Sequence, residues 1–359
     1  MESNAVSHKD NVRDLIEKVL RVVLPLAVSA GLVIWMFHKV DLAKVRDILS
    51  HGVDYRYLVA MMFITMLSYI CRGVRWGIQL RAAGIARISP VAESVSIFSA
   101  YALNLLVPYL GECWRCVYIT RIRPCKLSTV VGTDFGDRIS DAVVVLLLLG
   151  LTLVVAHPEI DRFLDRYPIG EAITRYTTDG MLWLWIILGA VALVAADIML
   201  RHTRFVQGIN MSLLRIWRGF AVLFHMRGTG MYILLTIGIW GCYFLNMYVC
   251  FFAFPFTREL IYGSGMAGGL IPALVAFLFG SFSIAIPSNG GLGPWNIAVM
   301  FALTLFGINQ SDGAAYSIMC WSFQTIMIIL LGIFSMFYIM FGKHRAGLKK
   351  IDRSVSQTS

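Results

Sequence analysis

The feature that most constrains this chain is its series of apolar stretches long enough, or nearly so, to cross a bilayer. A helix needs roughly 20 mostly apolar residues to pass about 30 Å of hydrocarbon. Residues 22–37, 57–76, 139–156, 181–200, 231–254 and 314–341 meet or approach that length. Of the 359 residues only 14% are charged and 58% are apolar, whereas a soluble domain carries about 25% charged residues. The longest polar stretches, 157–180 and 201–230, are too short to fold as a soluble catalytic domain. The expected fold is an all-α polytopic membrane protein with six full spans.

Two more apolar regions, 90–120 and 271–308, are interrupted near the middle. The first breaks at Pro108 and Gly111, the second over Pro287-Ser288-Asn289-Gly290-Gly291-Leu292-Gly293-Pro294. Lys and Arg mark the cytoplasmic side of short loops. Segments 1–21, 72–89, 108–141, 201–228 and 342–359 hold 23 of the 31 basic residues, and 38–56, 157–180 and 255–270 hold the other 8. This distribution places both termini in the cytoplasm of a bacterial-type inner membrane, and the net charge of +10 is first a topology signal. Nucleic-acid binding has no support, because the basic residues sit beside spans. Segment 1–21 carries four acids and has no small-residue cleavage site after the apolar run, so 22–37 is expected to be an uncleaved span.

With basic segments on both sides, 90–120 is expected to enter from the cytoplasm and return to it. Region 271–308 is expected to do the same from outside. The order span, span, hairpin, span then occurs twice with opposite orientation, an inverted repeat of halves 22–156 and 181–341 within a transmembrane domain 22–341. A cytoplasmic segment 1–21 and a basic tail 342–359 flank it. Interrupted segments at matching places in two inverted halves point to a binding site near the midplane. Two ordinary helices kinked by Pro and Gly remain the alternative.

The residues able to carry chemistry gather at these breaks. Pro108 and Gly111 end one helix and start another, leaving amides free at the new N-terminus. Glu112 and Arg115 are three apart and can pair on one face; an ionisable pair at membrane depth marks a functional site. Asp134, Asp137, Arg138 and Asp141 open the next apolar run, where helix-dipole compensation is an alternative for the first two. Gly290, Gly291 and Gly293, followed by Pro294 at a helix start, can present amides to an anion such as a lipid phosphate, although a tight hairpin tip also accounts for them. Among polar residues in apolar segments, Asn289 and Asn296 flank the second break, whereas Asn104, Asn246 and Gln324 fit ordinary interhelical hydrogen bonds. Glu93 fits an interfacial position. Neither the seven cysteines, including Cys113-x-x-Cys116, nor the seven histidines compose a metal set, and no cofactor is expected.

Taken in order, Pro108, Gly111, Glu112, Arg115, Asp137-Arg138 with Asp141, Pro287 and Gly290-Gly291-Leu292-Gly293 resemble the flippase-like membrane region of lysylphosphatidylglycerol synthases, over nearly the whole chain. The resemblance implies movement of lipid between leaflets. Transfer of lysine does not follow, since this sequence lacks the separate soluble domain that performs it. Tyr109 stands where family members often have Arg, and Asn296 where an acid commonly follows the second break. Both departures remove charge, so the substrate is expected to differ from a cationic aminoacyl lipid. The leading expectation is translocation of an anionic phospholipid or lipid-linked intermediate, its phosphate met by Arg115 and the 290–293 turn, with Glu112 and Asp141 holding Arg115. Membrane lipids are the expected partners. The alternatives are a non-transporting subunit that presents lipid to a separate synthase or glycosyltransferase, and an intramembrane enzyme, for which no nucleophile with a base stands out.

Overall fold

The computed structural model describes residues 52–155, 228–263, 269–283 and 290–356, with positions 188, 211, 217, 286 and 288; beyond 341 it describes the helix backbone alone. The expected spans 22–37 and 181–200, the segment 1–21, and Pro287 and Asn289 lie outside the described residues. All regular structure among the described residues is helical. It comprises α1 (Tyr55–Ala82), α2 (Pro90–Leu106), α3 (Leu110–Ile122), α4 (Leu127–Val155), α5 (Thr229–Phe251), α6 (Pro255–Tyr262), α7 (Ile271–Ser283), α8 (Pro294–Thr304) and α9 (Gln310–Ser356). Three stretches, α1, α5 and Gln310–Phe341, are long and apolar enough to cross a membrane. The protein is an α-helical membrane protein.

Local sequence sets the helix ends. Asp54 caps α1 by accepting from the Arg56 amide at 3.2 Å, and the Arg56 side chain holds the Asp54 carboxyl below its ordinary pKa. Ser89 caps α2 by accepting from the Ala92 amide at 3.2 Å, with Pro90 in the first turn where its missing N–H is not needed. Pro255 starts α6 after the extended Phe254. Two boundaries differ from the sequence expectation. Helix α1 continues to Ala82, so Arg72, Arg75 and Arg81 are helical and do not belong to a loop. Helix α4 begins at Leu127, so Asp134, Asp137 and Asp141 lie inside it and not in the first turn that would favour them through the dipole.

Helices α1 and α5 run antiparallel: the Asp54 amide donates to the Ala253 carbonyl at 2.8 Å at one end, and Gln79 Nε2 donates to the Tyr232 hydroxyl at 2.8 Å at the other. Helices α2 and α3 fold back on each other. Arg123 Nη2 donates to the Arg87 carbonyl at 2.8 Å at the open end, Trp114 Nε1 donates to Ser99 Oγ at 3.0 Å midway, and the Gly111 amide donates to Asn104 Oδ1 at 2.7 Å at the tip. Helix α7 packs on α8 and starts beside α6, where the Gly269 amide donates to the Leu260 carbonyl at 3.0 Å. The open ends of the two helix pairs thus lie near opposite ends of α1 and α5, and their tips meet, since a Cβ on Gly290 would lie 2.5 Å from Leu105 Cδ2. Helix α9 braces both pairs, packing on α8 and α2.

The two largest apolar clusters among the described residues follow from this packing. One joins Phe251, Phe254, Ala276, Leu303 and Tyr316, and the other joins Trp76, Leu80, Ile97, Ile119 and Leu331. Small residues let α1 and α2 approach closely: a Cβ on Gly73 would lie 2.8 Å from Ser94 Cα, and one on Gly77 would strike the Glu93 carboxylate. Glu93 is buried and paired with Arg81 at 3.0 Å. Because the Ser94 backbone cannot yield as a flexible side chain can, Gly73→Ala is expected to destabilise the protein by about 1–3 kcal/mol. A melting temperature in detergent equal to that of the wild type would contradict this packing.

Candidate functional site

Arg72 and Arg75 lie one helical turn apart near the end of α1, and Asp137 and Asp141 lie one turn apart in α4. The fold brings these four into contact. Arg75 Nη2 donates to Asp137 Oδ1 at 2.6 Å and to Asp141 Oδ1 at 2.8 Å. Arg72 is bonded to Asp141 and lies 3.6 Å from Asp137. From α3, Arg115 pairs with Asp134, lies 3.6 Å from Asp137, and sits 4.5 Å above the Trp76 ring. Trp76 is held in turn by donating to Thr133 Oγ1 at 3.2 Å. Glu112 pairs with Arg138, tying the tip of α3 to α4.

Four guanidinium groups therefore face four carboxylates, and the cluster is neutral overall. That balance is what permits it: a charge removed from water without a partner costs several kcal/mol. Exposure rises across it. The Arg75 and Asp137 side chains are 0% exposed, Arg115 is 1%, Glu112 is 20% and Arg138 is 42%. The inner members act as a fixed joint between α1, α3 and α4, while the outer pair retains an accessible guanidinium.

Arg72, Arg138 and Asp141 also line a cavity of about 320 Å³ between α1, α2, α4, α5, α7, α8 and α9. Its walls carry Tyr69, Tyr101, Trp240, Tyr243 and Trp295, and its polar groups include Thr65, Ser68, Asn246 and Gln324. Tyr69 and Tyr101 stack with centroids 4.3 Å apart, and Arg72 Nη1 donates to the Tyr243 hydroxyl at 3.0 Å. The charged cluster forms one side of the cavity and aromatic rings much of the rest. A site of this kind can hold a phosphate on a guanidinium and an apolar or cationic group on the rings.

Several expectations about the site change. Glu112 and Arg115 do not pair with each other; each turns to α4, because the acids of α4 lie within reach along the packed face. Arg115 is held by Asp134 and Asp137, not by Glu112 and Asp141, and its burial leaves Arg138 and Arg72 as the guanidiniums of the cavity wall. The amide of Gly111 is not free, being taken by Asn104. Pro108 and Gly111 do break the helix, and Tyr109 between them is left-handed at φ 62. At the second tip, the Trp295 amide donates to the Gly291 carbonyl at 3.1 Å, that of Ile297 donates to the Gly293 carbonyl at 2.9 Å, and Asn296 Oδ1 accepts from Gly293 at 3.1 Å. Gly290 accepts from Trp321 Nε1 at 2.9 Å. The Gly293 amide is thus taken by Asn296, Gly290 packs against Leu105 of the first tip, and Trp295 reaches the wall of the cavity. Among the described residues no group of three or more His, Cys, Asp or Glu could hold a metal ion.

Sequence reasoning passed over Arg72 and Arg75 by counting them as loop charges, and treated Asn246 and Gln324 as routine. Two arginines one turn apart inside an apolar run, matched by two aspartates one turn apart in another, were the available signal.

A family model described as the lysylphosphatidylglycerol synthase TM region matches residues 22–332. The chain belongs to this family. Comparison with curated proteins and with solved structures finds no match. Membership of the lysylphosphatidylglycerol synthase TM region makes this a membrane protein of a lipid-handling family, and the matched range includes every member of the charged cluster and every residue lining the cavity.

Proposed function

We propose that the protein moves a phosphate-bearing lipid between leaflets, the headgroup passing through the cavity between the two helix pairs. The observation that carries this is the accessible Arg138, which with Arg72 and Asp141 forms the polar wall of that cavity. An apolar groove between α4 and α5, lined by Val143, Leu147, Ile233, Ile237 and Phe244, shares Trp240 and Phe277 with the cavity. That adjacency suits a lipid whose head is inside while its chains stay in hydrocarbon. Helix pairs that open at opposite ends support two re-entrant hairpins in an inverted repeat with six spans, and the Lys and Arg distribution supports a bacterial-type inner membrane with both termini cytoplasmic. In this arrangement, single cysteines at Ser89 and Arg121 label from one side of the membrane, and those at Gly269 and Asn309 label from the other.

The test is exchange of acyl-labelled phospholipids across proteoliposome bilayers. A hydrogen bond to a charged group contributes about 1.5–3 kcal/mol, so Arg138→Gln is expected to slow exchange by about ten- to a hundredfold. Undiminished exchange in folded Arg138→Gln protein, or none in the wild type, would contradict the proposal.

A further inference from the structure

We infer that Glu112 sets the charge of the headgroup the cavity takes, and that with Glu112 in place the headgroup is zwitterionic, a phosphate together with a cation. The inference rests on the translocation reading above and specifies its substrate class.

Charge balance governs the choice, because the inner members of the cluster are out of water. Among the described residues the cluster holds Arg72, Arg75, Arg115 and Arg138 against Glu112, Asp134, Asp137 and Asp141. Arg138, the most exposed guanidinium of the cluster and one of the residues lining the cavity, is already paired with Glu112. A headgroup with only a phosphate would leave the cluster and ligand with one uncompensated negative charge. A headgroup that brings its own cation leaves the sum unchanged. A further observation points to a cation. The cavity wall presents Tyr69, Tyr101, Trp240 and Tyr243, and aromatic faces attract ammonium groups by their quadrupole.

Glu112 is the member whose charge can be removed with least damage to the joint. Its amide replacement keeps an oxygen for Arg138 and for Asn104, whose Nδ2 donates to Glu112 Oε1 at 3.3 Å. In Glu112→Gln the cluster becomes positive by one charge, and a monoanionic headgroup is then the one that restores neutrality.

The experiment compares exchange of phosphatidylethanolamine and phosphatidylglycerol bearing the same acyl-chain label, which leaves headgroup charge untouched, in wild type and Glu112→Gln. One uncompensated buried charge shifts an equilibrium on the order of tenfold or more. Wild-type protein is expected to favour the zwitterion by about that factor and Glu112→Gln to favour the anion. Preference for the anion in the wild type, or the same preference in both proteins, overturns the inference while lipid translocation stands. If the wild type, shown by cysteine labelling to be inserted, exchanges neither lipid, the inference and the translocation reading both fall.

Discussion

Arg75→Met is expected to remove a large share of the protein's stability. The Arg75 guanidinium is 0% exposed and bonds two carboxylates, at 2.6 Å to Asp137 and 2.8 Å to Asp141. Without it three guanidiniums face four carboxylates, and one buried negative charge has no counterpart. Breaking a buried pair in this way costs about 3–5 kcal/mol, a large share of the roughly 5–15 kcal/mol that holds a typical domain together. Thermal unfolding in detergent should show a greatly lowered midpoint or little folded protein. Adding Asp141→Asn to Arg75→Met restores the charge balance and should recover a substantial part of the loss, because the penalty lies in the unpaired charge and not in the missing contact. Equal stability of the single and double variants would contradict the charge-balance account.

Gly111→Val is the second change with a large expected effect. A Cβ at Gly111 would lie 2.0 Å from the Ala100 carbonyl oxygen, a backbone atom of α2 that no rotamer change can move aside. The clash opens the tip of the first helix pair, breaks the hydrogen bond from the Gly111 amide to Asn104, and carries Glu112 away from Arg138. Overpacking costs typically about 1–3 kcal/mol and occasionally more, and this contact belongs at the upper end. Gly238→Ala in α5, where nothing lies within 4 Å of an added Cβ, is the matched comparison and should be neutral or stabilise by up to about 1 kcal/mol. A Gly111→Val protein that melts with the wild type would show that the tip is not packed as described.

What the sequence revealed was mainly what hydropathy and breaker residues encode. The apolar runs marked α1, α5 and α9, and Pro108 with Gly111 marked the turn between α2 and α3, because crossing hydrocarbon and ending a helix each demand particular residue types. Partner choice was less legible. Spacing paired Glu112 with Arg115 on one helix face, yet each pairs with α4, since tertiary packing supplies nearer counter-charges than helical periodicity does. Arg72 and Arg75 were hidden for a related reason: a basic residue near a span end has the same sequence appearance in a loop and in a buried network. Four of the 23 basic residues assigned to cytoplasmic segments, Arg72, Arg75, Arg115 and Arg138, belong to the cluster, so the loop charge bias is smaller than that count, though of the same sign.

The central claim is that a lipid headgroup occupies the cavity beside Arg138. The most direct measurement is photo-crosslinking with a phospholipid carrying a photoactivatable group in its headgroup, followed by mapping of the modified residues. Adducts on Tyr69, Tyr101, Trp240 or Tyr243, diminished in Arg138→Gln, are the predicted result. Adducts confined to outward-facing residues such as Phe63, Leu234 and Leu146, which are 60%, 62% and 63% exposed, would contradict it.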